Sequence, residues 1–101
     1  MIHVLASIQI KEGYISEFIE IFKANIPNVL EEKGCIEYAP TIDVPTGFAP
    51  QELNANRVTI IEKWASLEDL KAHLSAPHML SYREATKHLV TDLSIRVLKQ
   101  V

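Results

Sequence analysis

Residues 57–78 read RVTIIEKWASLEDLKAHLSAPH, and this stretch decides the fold. Its first part, residues 57–64, alternates between two faces, which is the period of a β-strand. One face should point toward covering helices and carries Val58, Ile60, Glu62 and Trp64. The opposite face carries Arg57, Thr59, Ile61 and Lys63.

The polar residues after this strand mark the start of a helix. Ser66 is followed three residues later by Asp69, which is the spacing of a capping box. A helix is therefore predicted from Leu67 to about Ser75. Pro77 ends this helix, and because proline is favoured at the first position of a helix, it also begins a third helix over about 77–89.

The elements before this stretch follow from the same periodicities. Residues 2–10 alternate and predict a first strand. Apolar residues recur at helical spacing from about 14 to 32, which predicts the first helix. Residues 35–44 form a predicted second strand that contains Pro40, and a proline there suits an edge strand or a bulge.

The remaining segments complete the chain. Residues 45–56 are rich in proline, glycine and asparagine and predict a long hairpin loop. Residues 93–100 alternate again and predict a fourth strand. The order β-α-β-β-α-α-β is α+β and ferredoxin-like, with an antiparallel sheet and helices on one face.

One face of this predicted sheet has no helix to cover it. An exposed apolar sheet face is typical of a partner surface, and a second copy of the chain is the simplest partner because a two-fold dimer buries the same patch twice. The sequence therefore predicts a homodimer. The residues expected on the uncovered face are Leu5, Thr59, Ile61 and Leu98.

Composition limits the class of protein. The chain has 101 residues, 48% of them hydrophobic, which predicts a single domain over 1–101. Its single cysteine, Cys35, excludes an intrachain disulfide and paired-cysteine zinc sites. The formal net charge of −3 argues against a nucleic-acid partner. Because no targeting segment or membrane-length apolar run is visible, we expect a cytoplasmic protein without a membrane partner.

Glu62 and Trp64 are the first candidates for chemistry. A carboxylate on an apolar sheet face is costly unless it is paired or lines a wet cavity, so Glu62 predicts a pocket between sheet and helices. The alternative is that the strand ends near Ile61 and that Glu62 only bonds the residues that follow.

His73 and His78 are the candidates on the helices. His73 lies three residues after Leu70, on or beside the inward stripe of its helix. A neutral imidazole can take a proton near pH 7, so His73 suits general base work, whereas the alternative is a buried structural histidine. His78 begins a helix, where capping or exposure is the alternative to function. Donors to a pocket are further expected among Tyr38, Asn54, Tyr82 and Arg83.

Neither a metal nor an organic cofactor is expected. The two histidines lie five residues apart across a proline and do not share a helix face as i and i+4 residues would. Glu62 could complete a set of two histidines and one carboxylate, but no spacing requires it. The sequence contains no glycine-rich nucleotide or phosphate motif. Cys35 lacks a neighbouring His/Asp pattern and is expected to be a small buried residue.

Two segments resemble the antibiotic biosynthesis monooxygenase (ABM) domain family. Residues 33–38, KGCIEY, resemble its "pGc..Y" segment, and residues 61–78, IEKWASLEDLKAHLSAPH, resemble its "E.W.s.eaL.aH..sphh" segment. The element order agrees along nearly the whole chain. The resemblance implies a dimeric α/β barrel, in which two ferredoxin-like sheets pack face to face.

The resemblance also implies a chemistry. Some members of the family are quinol or polyketide-anthrone monooxygenases that use O2 without flavin, haem or metal, because a deprotonated electron-rich phenol can itself reduce O2. By this resemblance His73 would be the base or anion partner, Trp64 a pocket wall or indole donor, and Glu62 would orient His73 or cap the pocket. Tyr82, His78 and Tyr38 would contact a hydroquinone-like or polycyclic phenolic substrate.

The sequence departs from this family in two places. The loop 45–56 is longer and richer in proline than in small quinol monooxygenases, which leaves the substrate open. Haem-degrading relatives use an Asn on the first strand, where this chain has Ala6-Ser7, so a haem-degrading activity is disfavoured. Two alternatives remain, a non-catalytic dimeric-barrel module that binds a small apolar ligand, and an isomerase or lyase that uses His73 as its base.

Overall fold

A computed structural model describes residues 1–101 and confirms the predicted order of elements. The strands are β1 (Ile2–Ile10), β2 (Cys35–Ile42), β3 (Arg57–Trp64) and β4 (Val90–Leu98). The helices are α1 (Ile15–Leu30), α2 (Leu67–Leu74) and α3 (Pro77–Thr86). The chain is therefore α+β and ferredoxin-like, as predicted.

Several predicted boundaries were wrong by a few residues. Strand β2 ends at Ile42 rather than at residue 44, because Asp43 turns away to bind the backbone N–H of Asn54 and the guanidinium of Arg57. Helix α3 ends at Thr86 rather than at 89. Strand β4 begins three residues earlier than predicted, where Val90 pairs with Ile10 across a register shift.

The four strands form one antiparallel sheet in the order β2-β3-β1-β4. Strand β2 lies at an edge of the sheet, which is the position predicted for a strand that contains Pro40. Residues that pair directly share a face, so the pairing of Val4 with Glu62 and of Tyr38 with Glu62 places these three side chains on the helix-covered face.

The core lies between this face and the helices. Helix α1 buries Phe18, Phe22 and Val29 against the sheet, and Trp64 at the end of β3 is fully buried. Burial of each such side chain stabilises the fold by about 1.5–3 kcal/mol relative to its exposure. The packing of α1 on the sheet is therefore stabilised mainly by these apolar contacts. No helix is both long and apolar enough to cross a bilayer.

The predicted start of α2 is confirmed. The hydroxyl of Ser66 accepts a hydrogen bond of 3.1 Å from the backbone N–H of Asp69. Within α2, Leu70 and His73 are buried, whereas Leu67 and Leu74 are largely exposed. His73 therefore lies with Leu70 on the inward face of α2.

The sheet face opposite the helices is uncovered, as predicted. Ile61 is 39% exposed there, and Leu5, Thr59 and Leu98 are half-buried. The helices pack on β2 and β3, and they leave β4 open on the helix side as well. As a result Leu93, Ile95 and Val97, which pair with buried β1 residues, remain 43–58% exposed.

Candidate active site

A cavity of about 350 Å³ lies between the sheet and helices α2 and α3. Its walls are mostly hydrophobic, and they include Val4, Ala6 and Ile60 from the sheet. The cavity extends over the exposed β4 residues Leu93 and Ile95, so solvent and small molecules reach it from that edge. Its polar lining is confined to Tyr38, Glu62, His73, Tyr82, Arg83, Thr86 and Lys87.

His73 is the imidazole of this cavity. Its side chain is 2% exposed, and its ring is held between two aromatic rings, with centroids 4.7 Å from Trp64 and 5.4 Å from Tyr38. Burial lowers the pKa of His73, although the neighbouring carboxylate of Glu32 opposes that shift. The ring is therefore neutral near pH 7, which is the form that accepts a proton.

Glu32 connects the two histidines. Its Oε2 lies 2.9 Å from Nδ1 of His73 and 2.7 Å from Nε2 of His78. Glu32 lies just beyond the end of α1, His73 on α2 and His78 on α3. One carboxylate thus joins the three helices next to the cavity.

The turn after α1 places Glu32 in this position. The helix ends at Leu30, and Gly34 adopts φ +80°, a left-handed conformation that favours glycine. The carbonyl of Gly34 accepts a hydrogen bond of 2.8 Å from the N–H of Ala65, at the end of β3. This bond holds the turn against the sheet, two residues after Glu32.

Glu62 is buried in the cavity floor and is 6% exposed. Its Oε1 accepts a hydrogen bond of 3.0 Å from the indole Nε1–H of Trp64. Burial raises the pKa of Glu62 to about 7, although the Trp64 bond lowers it and the charge of Glu32 raises it. Glu62 therefore exchanges its proton near neutral pH, as acid–base groups in active sites do.

Two tyrosines complete the polar lining. Tyr38 stacks on Phe22 with ring centroids 5.2 Å apart, and Tyr82 meets the same ring edge-on at 5.7 Å. Burial raises the pKa of both hydroxyls above the usual value. Both therefore stay protonated at neutral pH and can donate a hydrogen bond to an anionic oxygen.

The structure brings most of the predicted residues together. His73, Glu62, Tyr38 and Tyr82 line the cavity. Trp64 does not line it, since this side chain is fully buried behind the cavity, where its indole N–H binds Glu62. Trp64 was predicted to form a pocket wall or to donate its indole N–H within the pocket, but it does not line the cavity, and Glu62 accepts its indole N–H.

His78 and two other predicted donors lie elsewhere or at the margin. His78 does not line the cavity and binds Glu32 instead. Arg83 lines the cavity, but its guanidinium donates to the carbonyl of Leu74. Asn54 lies in the loop before β3, where its side chain binds Gln9.

The residue that sequence reasoning missed is Glu32. It follows the end of an amphipathic helix among other charged residues, which is typical of a solvated position. Its partners lie 41 and 46 residues further along the chain. The orienting contact to His73 that was predicted for Glu62 is made by Glu32, since Glu62 makes no hydrogen bond to His73. No local pattern signals such a contact.

Two further possibilities for chemistry are a metal site and the thiol of Cys35. No group of three or more His, Cys, Asp or Glu side chains has the geometry to hold a metal ion. Cys35 is half-buried at the start of β2, and burial raises the pKa of its thiol to about 11. At neutral pH this thiol is protonated, which makes it a poor nucleophile.

Comparisons with known proteins agree with this architecture. The family model described as "Antibiotic biosynthesis monooxygenase" matches residues 1–85. The chain is 37% identical over 101 residues to the protein named "Probable quinol monooxygenase YgiN" from Escherichia coli K12, covering 98% of this chain and 97% of the relative. The Shigella flexneri protein of the same name matches with the same identity and coverage.

Solved structures show the same fold. A conserved protein from Methanosarcina mazei superposes with a TM-score of 0.84 at 23% identity, covering 99% of this chain and 92% of that chain. Rv0793 from Mycobacterium tuberculosis superposes with a TM-score of 0.81 at 22% identity, covering 99% of this chain and 94% of that chain. At these identities the likeness concerns the fold alone.

Proposed function

The chain belongs to the antibiotic biosynthesis monooxygenase family, and we propose that it is a quinol monooxygenase that needs no bound cofactor. Its substrate would be a hydroquinone-like or polycyclic phenol, with O2 as the second substrate. The observation that carries this proposal is a mostly apolar cavity whose lining includes a neutral imidazole, His73, and a carboxyl group with a pKa of about 7, Glu62.

The size of the cavity favours a small substrate. Ligand pockets occupy about 300–1,000 Å³, and a cavity of about 350 Å³ lies at the lower end of that range. The apolar walls and the aromatic rings of Tyr38 and Tyr82 suit a flat aromatic ring. A one-ring or two-ring hydroquinone is therefore a better candidate than a larger polycyclic phenol.

The reaction begins with a proton transfer. Nε2 of His73 would take the proton of a substrate hydroxyl, so that the electron pair stays on the phenolate oxygen. The tyrosine hydroxyls of Tyr38 and Tyr82, which remain protonated, would donate hydrogen bonds to that oxygen. The mostly apolar walls strengthen these interactions, because the local dielectric constant beside them is lower than that of water.

The oxygen chemistry is then that of the substrate. The phenolate gives electrons to O2, a carbon–oxygen bond forms, and the O–O bond breaks. One oxygen atom remains in a hydroxyquinone and the other leaves as water, so that one quinol and one O2 give one hydroxyquinone and one H2O. Glu62, which exchanges its proton near pH 7, would supply or take the protons that this rearrangement moves at the cavity floor.

The test is a metal-free assay with a panel of hydroquinones, following O2 uptake and quinone formation. With ¹⁸O2, one labelled oxygen should enter the product and one should appear in water. His73→Ala should lower the rate about 10²- to 10⁴-fold, which is the usual contribution of a general base. His88→Ala, which changes an exposed histidine outside the cavity, is the matched control.

Two results would count against this function. Full activity in His73→Ala would remove His73 from the mechanism. Tight binding of aromatic ligands by the wild-type protein without any O2 uptake would favour the non-catalytic binding module instead.

We also propose a homodimer that forms through the uncovered sheet face. Ile61 on β3 is exposed there and pairs with the half-buried Leu5 on β1, and Leu98 lies half-buried on β4, on the other side of β1. Light scattering at micromolar concentration should give twice the mass of one chain, and Ile61→Asp should shift the protein to a monomer. Leu80→Asp, at an exposed position on α3, is the control. A wild-type monomer would contradict the dimer.

A further inference from the structure

We propose that Glu32 is a positioning residue for His73, whose carboxylate holds the Nδ1–H of the imidazole and leaves Nε2 free to take the substrate proton. This inference deepens the proposed function and rests on it. Neither the family motifs quoted above nor the composition of α1 points to this residue. Two observations support it, on the imidazole and on the carboxylate, together with the charge balance of the proposed proton transfer.

The first observation is the protonation state that the geometry imposes on the imidazole. Oε1 and Oε2 of Glu32 lie 3.1 Å and 2.9 Å from Nδ1 of His73. An ionised carboxylate only accepts hydrogen bonds, so Nδ1 carries the hydrogen. A neutral imidazole has one such hydrogen, which leaves a lone pair on Nε2. Nε2 makes no hydrogen bond within the protein, and His73 lines the cavity.

Packing restricts rotation of the His73 ring, which would swap the positions of Nδ1 and Nε2. The ring is 2% exposed and packs against the rings of Trp64 and Tyr38. Rotation of the ring by half a turn would move Nδ1 away from the carboxylate and break the hydrogen bond to Glu32. The packed rings therefore preserve the orientation that Glu32 selects.

The second observation is that the carboxylate is itself held in place. Its Oε2 is also 2.7 Å from Nε2 of His78, which donates from the first turn of α3. The Glu32 side chain is only 12% exposed, so water screens these contacts weakly. Donors from α2 and α3 thus hold a carboxylate that the end of α1 supplies.

The third reason is the charge balance of the proposed proton transfer. When a substrate O–H bond breaks and an N–H bond forms at Nε2, His73 becomes an imidazolium and the substrate a phenolate. The positive charge then lies within 3 Å of the negative charge of Glu32, as the carboxylate of a Ser-His-Asp triad lies beside its imidazolium. No electron moves in this step, and Glu32 does not touch the substrate.

The charged groups around His73 agree with this role. Glu32 faces it from the end of α1, and His78 and Arg83 face it from α3. Burial lowers the pKa of His73. The nearby side chains of His78 and Arg83 lower this pKa further, whereas Glu32 raises it. Strands β2 and β3 contribute the rings of Tyr38 and Trp64, which carry no charge at neutral pH. Glu62 on β3 lines the same cavity but makes no hydrogen bond to His73. Among the groups that shift the pKa of His73, Glu32 is therefore the one that favours the protonated imidazole.

The direct test is nitrogen-15 NMR of the His73 ring in the wild-type protein, which requires no substrate. The expected spectrum has a hydrogen on Nδ1 and a bare Nε2 at neutral pH. In Glu32→Gln the pKa of His73 should fall, because the neighbouring negative charge is lost. Glu31→Gln, which changes the exposed neighbour, should leave both the hydrogen and the pKa unchanged.

The kinetic test uses the same pair of variants with a hydroquinone. Glu32→Gln should lower kcat about 10- to 100-fold, as the loss of an outer partner of a functional histidine does, with KM changed less than about twofold. The acid limb of its pH–rate profile should move to lower pH with the pKa of His73. Glu32→Asp, which keeps the charge, should restore part of kcat. Glu31→Gln should behave as the wild type.

Separate results overturn the two ideas. A wild-type spectrum with the hydrogen on Nε2, or identical spectra and rates for Glu32→Gln and Glu31→Gln, would reject Glu32 as a positioning residue. If Glu32→Gln does not fold, the wild-type spectrum alone still decides. If the spectra behave as expected but no hydroquinone is turned over, the contact stands and the proposed function fails.

Discussion

Oε1 of Glu62 accepts a 3.0 Å hydrogen bond from the indole Nε1–H of Trp64, the next residue on the same face of β3. The two side chains differ in what they reach. Glu62 lines the cavity, whereas Trp64 is buried behind it. Trp64 therefore lowers the pKa of a cavity carboxyl group, against the larger effect of burial, without itself touching the cavity.

The first prediction concerns the pH dependence of stability that Glu62 causes. The pKa of Glu62 is about 7 in the folded protein, whereas the ordinary value of a glutamate, which applies to the unfolded chain, is 4.5. Between these values the folded state binds more protons than the unfolded state, so the free energy of unfolding falls as pH rises. This fall in the free energy of unfolding is complete above pH 7. It amounts to on the order of 3 kcal/mol, because each unit of difference between the folded and unfolded pKa corresponds to about 1.36 kcal/mol.

Glu62→Gln removes this titration. Urea unfolding at pH 5 and at pH 8 should show the variant gaining stability relative to wild type by up to on the order of 3 kcal/mol at the higher pH. Glu68→Gln, at an exposed position on α2, should follow the wild type at both pH values. A Glu62→Gln difference that does not change with pH would show that the carboxyl group has an ordinary pKa.

The second prediction concerns the donor of that hydrogen bond. Trp64→Phe removes the indole N–H that lowers the pKa of Glu62, so this pKa should rise above 7. The buried carboxyl group also loses its partner, which should reduce the free energy of unfolding by about 1–3 kcal/mol, before any cost of the smaller ring. Carbon-13 NMR of the Glu62 carboxyl group measures the titration.

Tyr38→Phe is the control for Trp64→Phe. Tyr38 faces Glu62 across the strand pair but makes no hydrogen bond to it, so the pKa of Glu62 should stay at about 7. Equal titration curves for the two variants would contradict the assigned role of the indole N–H.

The third prediction concerns the turn that carries Glu32. A Cβ at Gly34 would overlap the side chain of Asp69, and the residue has φ +80°. A Cβ at Gly13 would meet nothing within 4 Å, although φ is +88° there. Both alanine variants carry the left-handed backbone strain, but Gly34→Ala also forces Asp69 to move. Gly34→Ala should therefore lower the free energy of unfolding by about 1–3 kcal/mol more than Gly13→Ala does.

Chemical unfolding of the two variants measures that difference. Gly34→Ala should also weaken the contact of Glu32 with His73, because the turn lies two residues after Glu32. Equal stabilities would mean that Asp69 swings aside at no cost and that the turn tolerates a side chain.

The fourth prediction concerns the loop over 43–56. The Asn54 amide exchanges hydrogen bonds of 2.8 Å and 3.3 Å with Gln9, and its Oδ1 accepts from the N–H of Asn56 at 2.9 Å. Asn54→Ala removes these bonds and should cost about 1–3 kcal/mol. Hydrogen exchange over 43–56 should become faster, while Glu52→Ala, at an exposed position of the same loop, should leave it unchanged.

A large part of the fold followed from local patterns. Alternation in β1 and β3 and the helical period of α1 determined which side chains face inward, and Ser66 with Asp69 determined where α2 begins. The ends of β2 and α3 were less predictable. The end of β2 depends on its last pair with β3 and on the ion pair of Asp43 with Arg57. The end of α3 depends on where β4 begins to pair with β1. These contacts join residues that are far apart in the sequence.

The candidate site divides along the same line. By itself the sequence determined that Glu62 and His73 point inward, because each face repeats with the period of its own strand or helix. Only the tertiary structure decided that Glu32 holds His73, that Trp64 stands behind Glu62, and that the cavity opens along β4. These relations depend on the packing of separate elements, and a local period sets the direction of a side chain but not the partner that it meets.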